Sequence, residues 1–297
     1  MKFASSRRIP PDEWWPHGVR GVTSSHIALR TGVTVRSVSA GPEDAPPVVL
    51  IHGLGIHAHL WRRTVPALVD AGRRVYALDL PGHGLSDRPL EPGSYTLAKM
   101  TDHVAAYCDA IGVARAVVVA QSMGGRIAIE LAYRGPKRVS GLALYGSVGF
   151  GVAPRALPLV PRLPAPRGAL SALLTQRWMV AIGKGFAYGR RARVAQADID
   201  AYWATTQFPD FVPAVRQALI DFDWRELTPD QCAALRVPTL IVFGTRDRTI
   251  RPLHAERLCA AVPDARLVWV HDAGHVVPEE VADESNAHLL EFISRTG

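Results

Sequence analysis

Seven short, strongly apolar runs punctuate the chain, separated by stretches of helical length, and this alternation is what most limits the folds open to it. The runs are VTVRSVSAG from Val33, PVVLIHG from Pro47, RRVYALDL from Arg73, AVVVAQS from Ala116, SGLALYGS from Ser140, PTLIVFGT from Pro238 and ARLVWVHD from Ala265. Most are apolar at successive positions, the pattern of strands covered on both faces. Between them LWRRTVPALVDAG, TLAKMTDHVAAYCDAIG, GGRIAIELAYRG, PLHAERLCAAV and EVADESNAHLLEFI read as helices. Repeated strand–helix units predict the α/β class, with a mostly parallel sheet flanked by helices. A chain of 297 residues, 48% hydrophobic, supplies enough apolar surface for such a core.

One interval breaks the rhythm. From Val148 to Pro229 no strand pattern occurs, and APRALPLVPRLPAPRG carries Pro154, Pro158, Pro161, Pro164 and Pro166. The helical pieces ALSALLTQRWMVAIG and ADIDAYWATTQF follow, and the strand pattern resumes at Val237. The expected organisation is therefore a core formed by residues 1–147 and 230–297, with 148–229 inserted as a helical cap.

The net charge of +7 is concentrated in that insertion. Arg155, Arg162, Arg167, Arg177, Lys184, Arg190, Arg191 and Arg193 fall between Gly151 and Ala197 without one acidic residue, leaving 26 basic against 27 acidic elsewhere. Charge confined in this way argues against nucleic acid and fits a solvated face, or attraction to a carboxylate-bearing substrate, an anionic acyl carrier or a membrane surface. The three cysteines, Cys108, Cys232 and Cys259, are widely spaced and suit core thiols better than a disulfide framework. No apolar run follows the paired arginines near the N-terminus, and none reaches bilayer-spanning length, so no secretory signal or transmembrane segment is expected and the default location is cytoplasmic.

The run VVVAQSMGGRIAIELA passes from strand to helix with no linker, leaving Ser122 on a tight corner between Gln121 and Met123. A serine there either caps the helix or stands proud of the sheet as a nucleophile. The second reading needs a base and an acid to orient it. Asp247 follows one later strand in IVFGTRD and His275 follows the next in WVHDAGH, both where a parallel sheet delivers its C-terminal ends.

These motifs together, HGLG (His52 to Gly55), DLPGHGLSD (Asp79 to Asp87), AQSMGG (Ala120 to Gly125), FGTRD and DAGH, resemble those of the α/β-hydrolase superfamily, in its serine-esterase-like branch with a helical cap. The resemblance runs from about Val33 to Ile293; Ala120 stands where the family usually has glycine. It implies an α/β-hydrolase fold, with Ser122 as nucleophile, His275 as base, Asp247 as the orienting acid, and the backbone N–H groups of Leu54 and Met123 as oxyanion donors. Losing one such donor typically costs about 3–4 kcal/mol. It implies no cofactor and no metal, and a small or medium acyl ester as substrate.

Rival readings attach to the same residues. His52, His57 and His59 have chelating spacing, although loop packing accounts for them better. Asp79, His83 and Asp87 are expected to brace a turn, and Asp272 to do the same or to replace Asp247. Trp178, Met179, Phe186, Tyr188, Trp203 and Phe208 are candidates to line an acyl pocket or to form the cap's own core. Carbon–carbon bond hydrolysis of the ring-cleavage-product type is the closest alternative reaction, although Val276 stands where those relatives commonly have Trp. A non-catalytic ligand-binding protein on the same fold is the alternative of a different class.

Overall fold

A computed structural model describes residues 14–149 and 169–296. Eight strands form one sheet: β1 (Val22–Ala28), β2 (Thr34–Ala40), β3 (Pro47–Ile51), β4 (Arg74–Leu78), β5 (Ala116–Gln121), β6 (Val139–Tyr145), β7 (Thr239–Gly244) and β8 (Ala265–Val270). Their order across the sheet is β1-β2-β4-β3-β5-β6-β7-β8. β2 runs antiparallel to both β1 and β4, and every later pairing is parallel. The seven expected strands are all present. β1 is the addition, a mostly exposed partner of β2 whose sequence VTSSHIA lacks an apolar run.

β5 shows why the central strands are apolar at every position. Val117 and Val119 pack into one hydrophobic layer and Val118 and Ala120 into another, so neither face meets water. The first layer also holds Leu289 and Ile293 of α11 (Ala282–Thr296) and Leu68 of α1 (Thr64–Asp70). The second holds Met100 and Val104 of α2 (Leu97–Ala110), Ile127 of α3 (Met123–Arg134) and Leu258 of α9 (Leu253–Ala261). Cys108 and Cys232 are buried and Cys259 half-buried, all as free thiols.

Between β6 and β7 the described residues form α4 (Ala169–Leu174), α5 (Arg177–Ala187), α6 (Gln196–Thr206), α7 (Phe211–Asp221) and α8 (Pro229–Ala234), and no strand. The five-proline stretch and Arg155, Arg162 and Arg167 lie outside the described residues. ALSALLTQRWMVAIG is two helices instead of one. The Thr175 carbonyl at the break accepts from Trp203 Nε1 and Gln207 Nε2, each at 3.0 Å, so α6 and its C-terminal flank occupy the acceptor that a continuous helix would use. α8 starts in a capping box of Thr228 and Gln231 with Pro229 in the first turn, which carries helical structure past residue 229.

Candidate active site

The corner between β5 and α3 is strained. Ser122 has φ 53° and ψ −119°, a conformation that costs a non-glycine residue about 1–3 kcal/mol. Neighbouring backbone holds it there: the Ser122 N–H donates to Tyr145 O at 2.9 Å, and its carbonyl accepts from Gly125 at 3.0 Å and Val148 at 3.2 Å. The side chain makes no capping hydrogen bond to α3, so the helix-cap reading of this serine fails. Two glycines let the helix start so close to the sheet. A Cβ on Gly124 would meet His52 O at 2.4 Å, and one on Gly125 would meet Ser147 Oγ at 2.1 Å.

His275 and Asp247 meet beside this corner. His275 Nδ1 lies 2.7 Å from Asp247 Oδ2, while Asp247 Oδ1 accepts the backbone N–H groups of Thr249 and Ile250, each at 2.8 Å. A carboxylate fixed in this way orients the imidazole, with Nδ1–H as donor and Nε2 left free. Ser122, His275 and Leu54 border one cavity of about 390 Å³. Met123 is fully buried at the start of α3, where a helix's first amides have no partner within the helix. Asp272 is elsewhere: its carboxylate pairs with Arg246 at 2.8 Å, and it braces the turn ahead of His275.

The His52 ring is also assigned by its partners. Its Nε2 accepts the Leu80 N–H at 2.9 Å, so Nδ1 carries the proton and donates to Gly53 O at 2.7 Å, joining the ends of β3 and β4. Asp79 accepts from the Ala58 and Leu85 amides and pairs with Arg36. Burial pushes its carboxyl up, but Arg36 and the histidines nearby outweigh that and hold it well below the usual carboxylate range. The Asp79–Asp87 segment is thus a braced turn. His57 and His59 bond instead to Ala201 O and Asp198, and both rings pack against Tyr202.

A charged network in the cavity wall, which Lys184 and Tyr202 border, escapes sequence reading. Glu279, four residues after His275 on α10 (Val277–Glu280), is buried between Lys184 at 2.7 Å and Arg62 at 3.4 Å, and accepts the hydroxyls of Tyr188 and Tyr202. Arg62 continues to Asp198. Burial pushes the Glu279 carboxyl up, but the charges of Lys184 and Arg62 overcome it and bring it to about 2. Glu280 accepts three backbone N–H groups, from Gly189 at 3.0 Å, Arg191 at 3.1 Å and Gly274 at 2.7 Å. Alongside it, His275 N–H donates to Ala187 O and Arg190 N–H to Asp272 O, each at 2.7 Å. The one sequence signal for this network is two adjacent acids in the otherwise apolar run VVPEEVA.

Of the six aromatic or sulfur side chains expected at an acyl pocket, only Met179 borders the cavity. Trp178 and Phe186 point to solvent, and Tyr188 is committed to Glu279. Phe208 lies under Arg88, and Trp203 borders a separate cavity of about 700 Å³ with His57 and Trp14, away from Ser122 and His275. The remaining wall of the cavity that Ser122 and His275 border includes Ile56, Leu174, Val180, Phe211, Leu219 and Trp224.

A strained serine at a strand–helix corner and an Asp–His pair at the C-terminal edge of a mostly parallel sheet define a class, and the chain belongs to the α/β-hydrolase superfamily. The alpha/beta hydrolase fold family matches residues 46–164, and the serine hydrolase (FSH1) family matches 208–286. The chain is 31% identical to the 2-hydroxymuconate semialdehyde hydrolase of Pseudomonas putida, over 82% of this chain and 85% of that protein. It is 29% identical to the magnesium-chelatase 30 kDa subunit of Rhodobacter capsulatus, over 98% and 94%. Among solved structures it resembles a meta-cleavage product hydrolase from Pseudomonas fluorescens IP01, with TM-score 0.78, 25% identity and coverage of 92% and 98%. No helix among the described residues is long and apolar enough to cross a membrane.

Proposed function

We infer that the protein is a serine hydrolase that cleaves a carboxylic ester of a small or medium acyl group, with residues 148–229 as its cap. The observation that carries this reading is the 2.7 Å Asp247–His275 hydrogen bond beside a cavity that His275 shares with the strained Ser122. Ser122 Oγ attacks the acyl carbon as its proton passes to His275 Nε2, and the amides of Leu54 and Met123 receive the developing oxyanion. Collapse breaks the ester bond, and the alcohol leaves with the proton from His275. Water then attacks the acyl-serine, giving its proton to His275; the acid departs and the proton returns to Ser122. Asp247 holds the ring in register and stabilises the imidazolium.

Hydrolysis of a carbon–carbon bond is the second reading, favoured by the likeness to a semialdehyde hydrolase and a meta-cleavage product hydrolase. Nitrophenyl esters of increasing acyl length, assayed beside a vinylogous diketone acid, separate the two. Turnover of the esters alone supports the first, and faster turnover of the diketone acid supports the second. A fluorophosphonate probe tests the nucleophile and the non-catalytic alternative together. Ser122 is expected to be labelled, and full labelling of Ser122→Ala would overturn the assignment.

A further inference from the structure

α5 is apolar over a broad arc that runs from the catalytic cavity to solvent. Met179, Val180 and Gly183 border the catalytic cavity. Next to them around the helix, Trp178, Ile182 and Phe186 are 52%, 60% and 54% exposed, and α4 adds Leu170 and Leu173 at 51% and 47%. Trp178, Ile182 and Phe186 are four residues apart, so they form one stripe about 12 Å long on the outer face of the helix. An amphipathic surface helix turns its apolar side inward and a polar side to water. Here the water-facing side is apolar as well, and nothing among the described residues covers it. Contiguous large side chains of this kind mark an interaction surface.

The charge around the stripe selects the partner. Exposed Arg190 and Arg193 follow Phe186 closely, while Arg177, Lys184 and Arg191 of the same basic segment are paired with Asp200, Glu279 and Glu284. A second copy would bring like charge against like charge. A protein partner would need a groove cut for a projecting helical ridge, whereas a lipid surface yields to one. We propose that the outer face of α4 and α5 is a docking surface for an anionic lipid bilayer, with Trp178, Ile182 and Phe186 entering the headgroup boundary and the arginines meeting phosphates. Since the inner face of α5 walls the catalytic cavity, the docked enzyme takes an apolar ester from the bilayer it rests on. This last step rests on the ester-hydrolase reading; the docking itself does not.

The test is co-sedimentation of the full chain with vesicles of equal parts phosphatidylglycerol and phosphatidylcholine, and with vesicles of phosphatidylcholine alone. Binding to the anionic vesicles, weaker on the neutral ones and reduced as salt rises, is expected. The triple variant Trp178→Ser, Ile182→Ser, Phe186→Ser should bind at least about tenfold more weakly. The pair Arg190→Gln, Arg193→Gln should lose the preference for anionic lipid with the apolar stripe intact. Turnover of a short water-soluble ester should be unchanged in both variants, which shows them folded and reports separately on the hydrolase reading. Wild-type protein left in the supernatant, or a triple variant that sediments as well as wild type, overturns the proposal. So does concentration-dependent self-association that the triple variant abolishes, because the stripe would then be an interface between copies.

Discussion

Lys184 Nζ lies 2.7 Å from Glu279 Oε1 with both side chains buried, and Arg62 reaches the other Glu279 oxygen at 3.4 Å. Glu279→Ala leaves buried Lys184 and partly buried Arg62 facing Asp198 alone. The expected cost is about 3–5 kcal/mol, the range for stranding a buried charge. The double variant Lys184→Met, Glu279→Gln keeps the cluster neutral through Arg62 and Asp198, and should recover much of that loss. Urea unfolding of the three proteins measures both.

Ser122 combines the proposed nucleophile with unfavourable backbone. Ser122→Ala should lower ester turnover by on the order of 10⁶-fold if chemistry limits the rate. Ser122→Gly should be equally inactive yet more stable by about 1 kcal/mol, because glycine accepts the positive φ without strain. Unfolding midpoints set beside turnover decide whether strain and activity are opposed at this position.

Gly274 presses against the chain leaving α5: a Cβ there would meet Ala187 O at 2.4 Å and Gly189 N at 2.5 Å. Both are backbone atoms and neither can rotate aside. Gly274→Ala should therefore displace the neighbouring His275 and the Ala187 backbone beside it, while leaving the rest of the cavity wall intact. The expected result is a fall of about 100-fold in kcat with little change in KM, the size of effect a displacement near 1 Å produces. Steady-state kinetics beside an unchanged circular dichroism spectrum checks it.

Acid should weaken the fold before any carboxylate titrates. Burial brings His57 and His83 each to about 3, against an ordinary 6.5. Between those values the unfolded chain binds the protons that the folded chain refuses, so stability is full above 6.5 and falls as pH drops toward 3. Each ring contributes on the order of 1 kcal/mol per pH unit within that window. Glu279 adds to the loss between its ordinary 4.5 and about 2, where its ion pairs are neutralised. Denaturant unfolding from pH 8 to 4 should show the decline, and His57→Gln should flatten its upper part.

The central sheet was readable in the sequence because covered strands leave an unbroken apolar signature, as in Val117–Val119 and Leu240–Phe243. β1 was not, since a strand exposed on both faces has no hydrophobic period to detect. Ser122, Asp247 and His275 were legible as strand-end positions, and the structure joins the last two by a hydrogen bond and the first and last through a shared cavity. The partners of Glu279 were hidden because burial is set by contacts between distant segments; nothing local marks Arg62 or Lys184 as interior. The acyl-pocket expectation failed for Trp178 and Phe186 because composition shows that a helix is apolar and not which side it turns to the cavity. The helix break after Leu174 was hidden too, since the groups that take the Thr175 carbonyl lie about thirty residues further on.

β6 and β7 are neighbours in the sheet, so the chain departs for its helical excursion and returns through a single gap. Such an excursion can be lengthened, trimmed or exchanged for another without re-threading any strand. Glu280 sets the condition for a successful transplant, since its carboxylate reaches the Gly189 and Arg191 amides on one side and Gly274 on the other. A replacement that offers two N–H groups at those points inherits a seated His275, whereas one that offers none starts with that ring adrift.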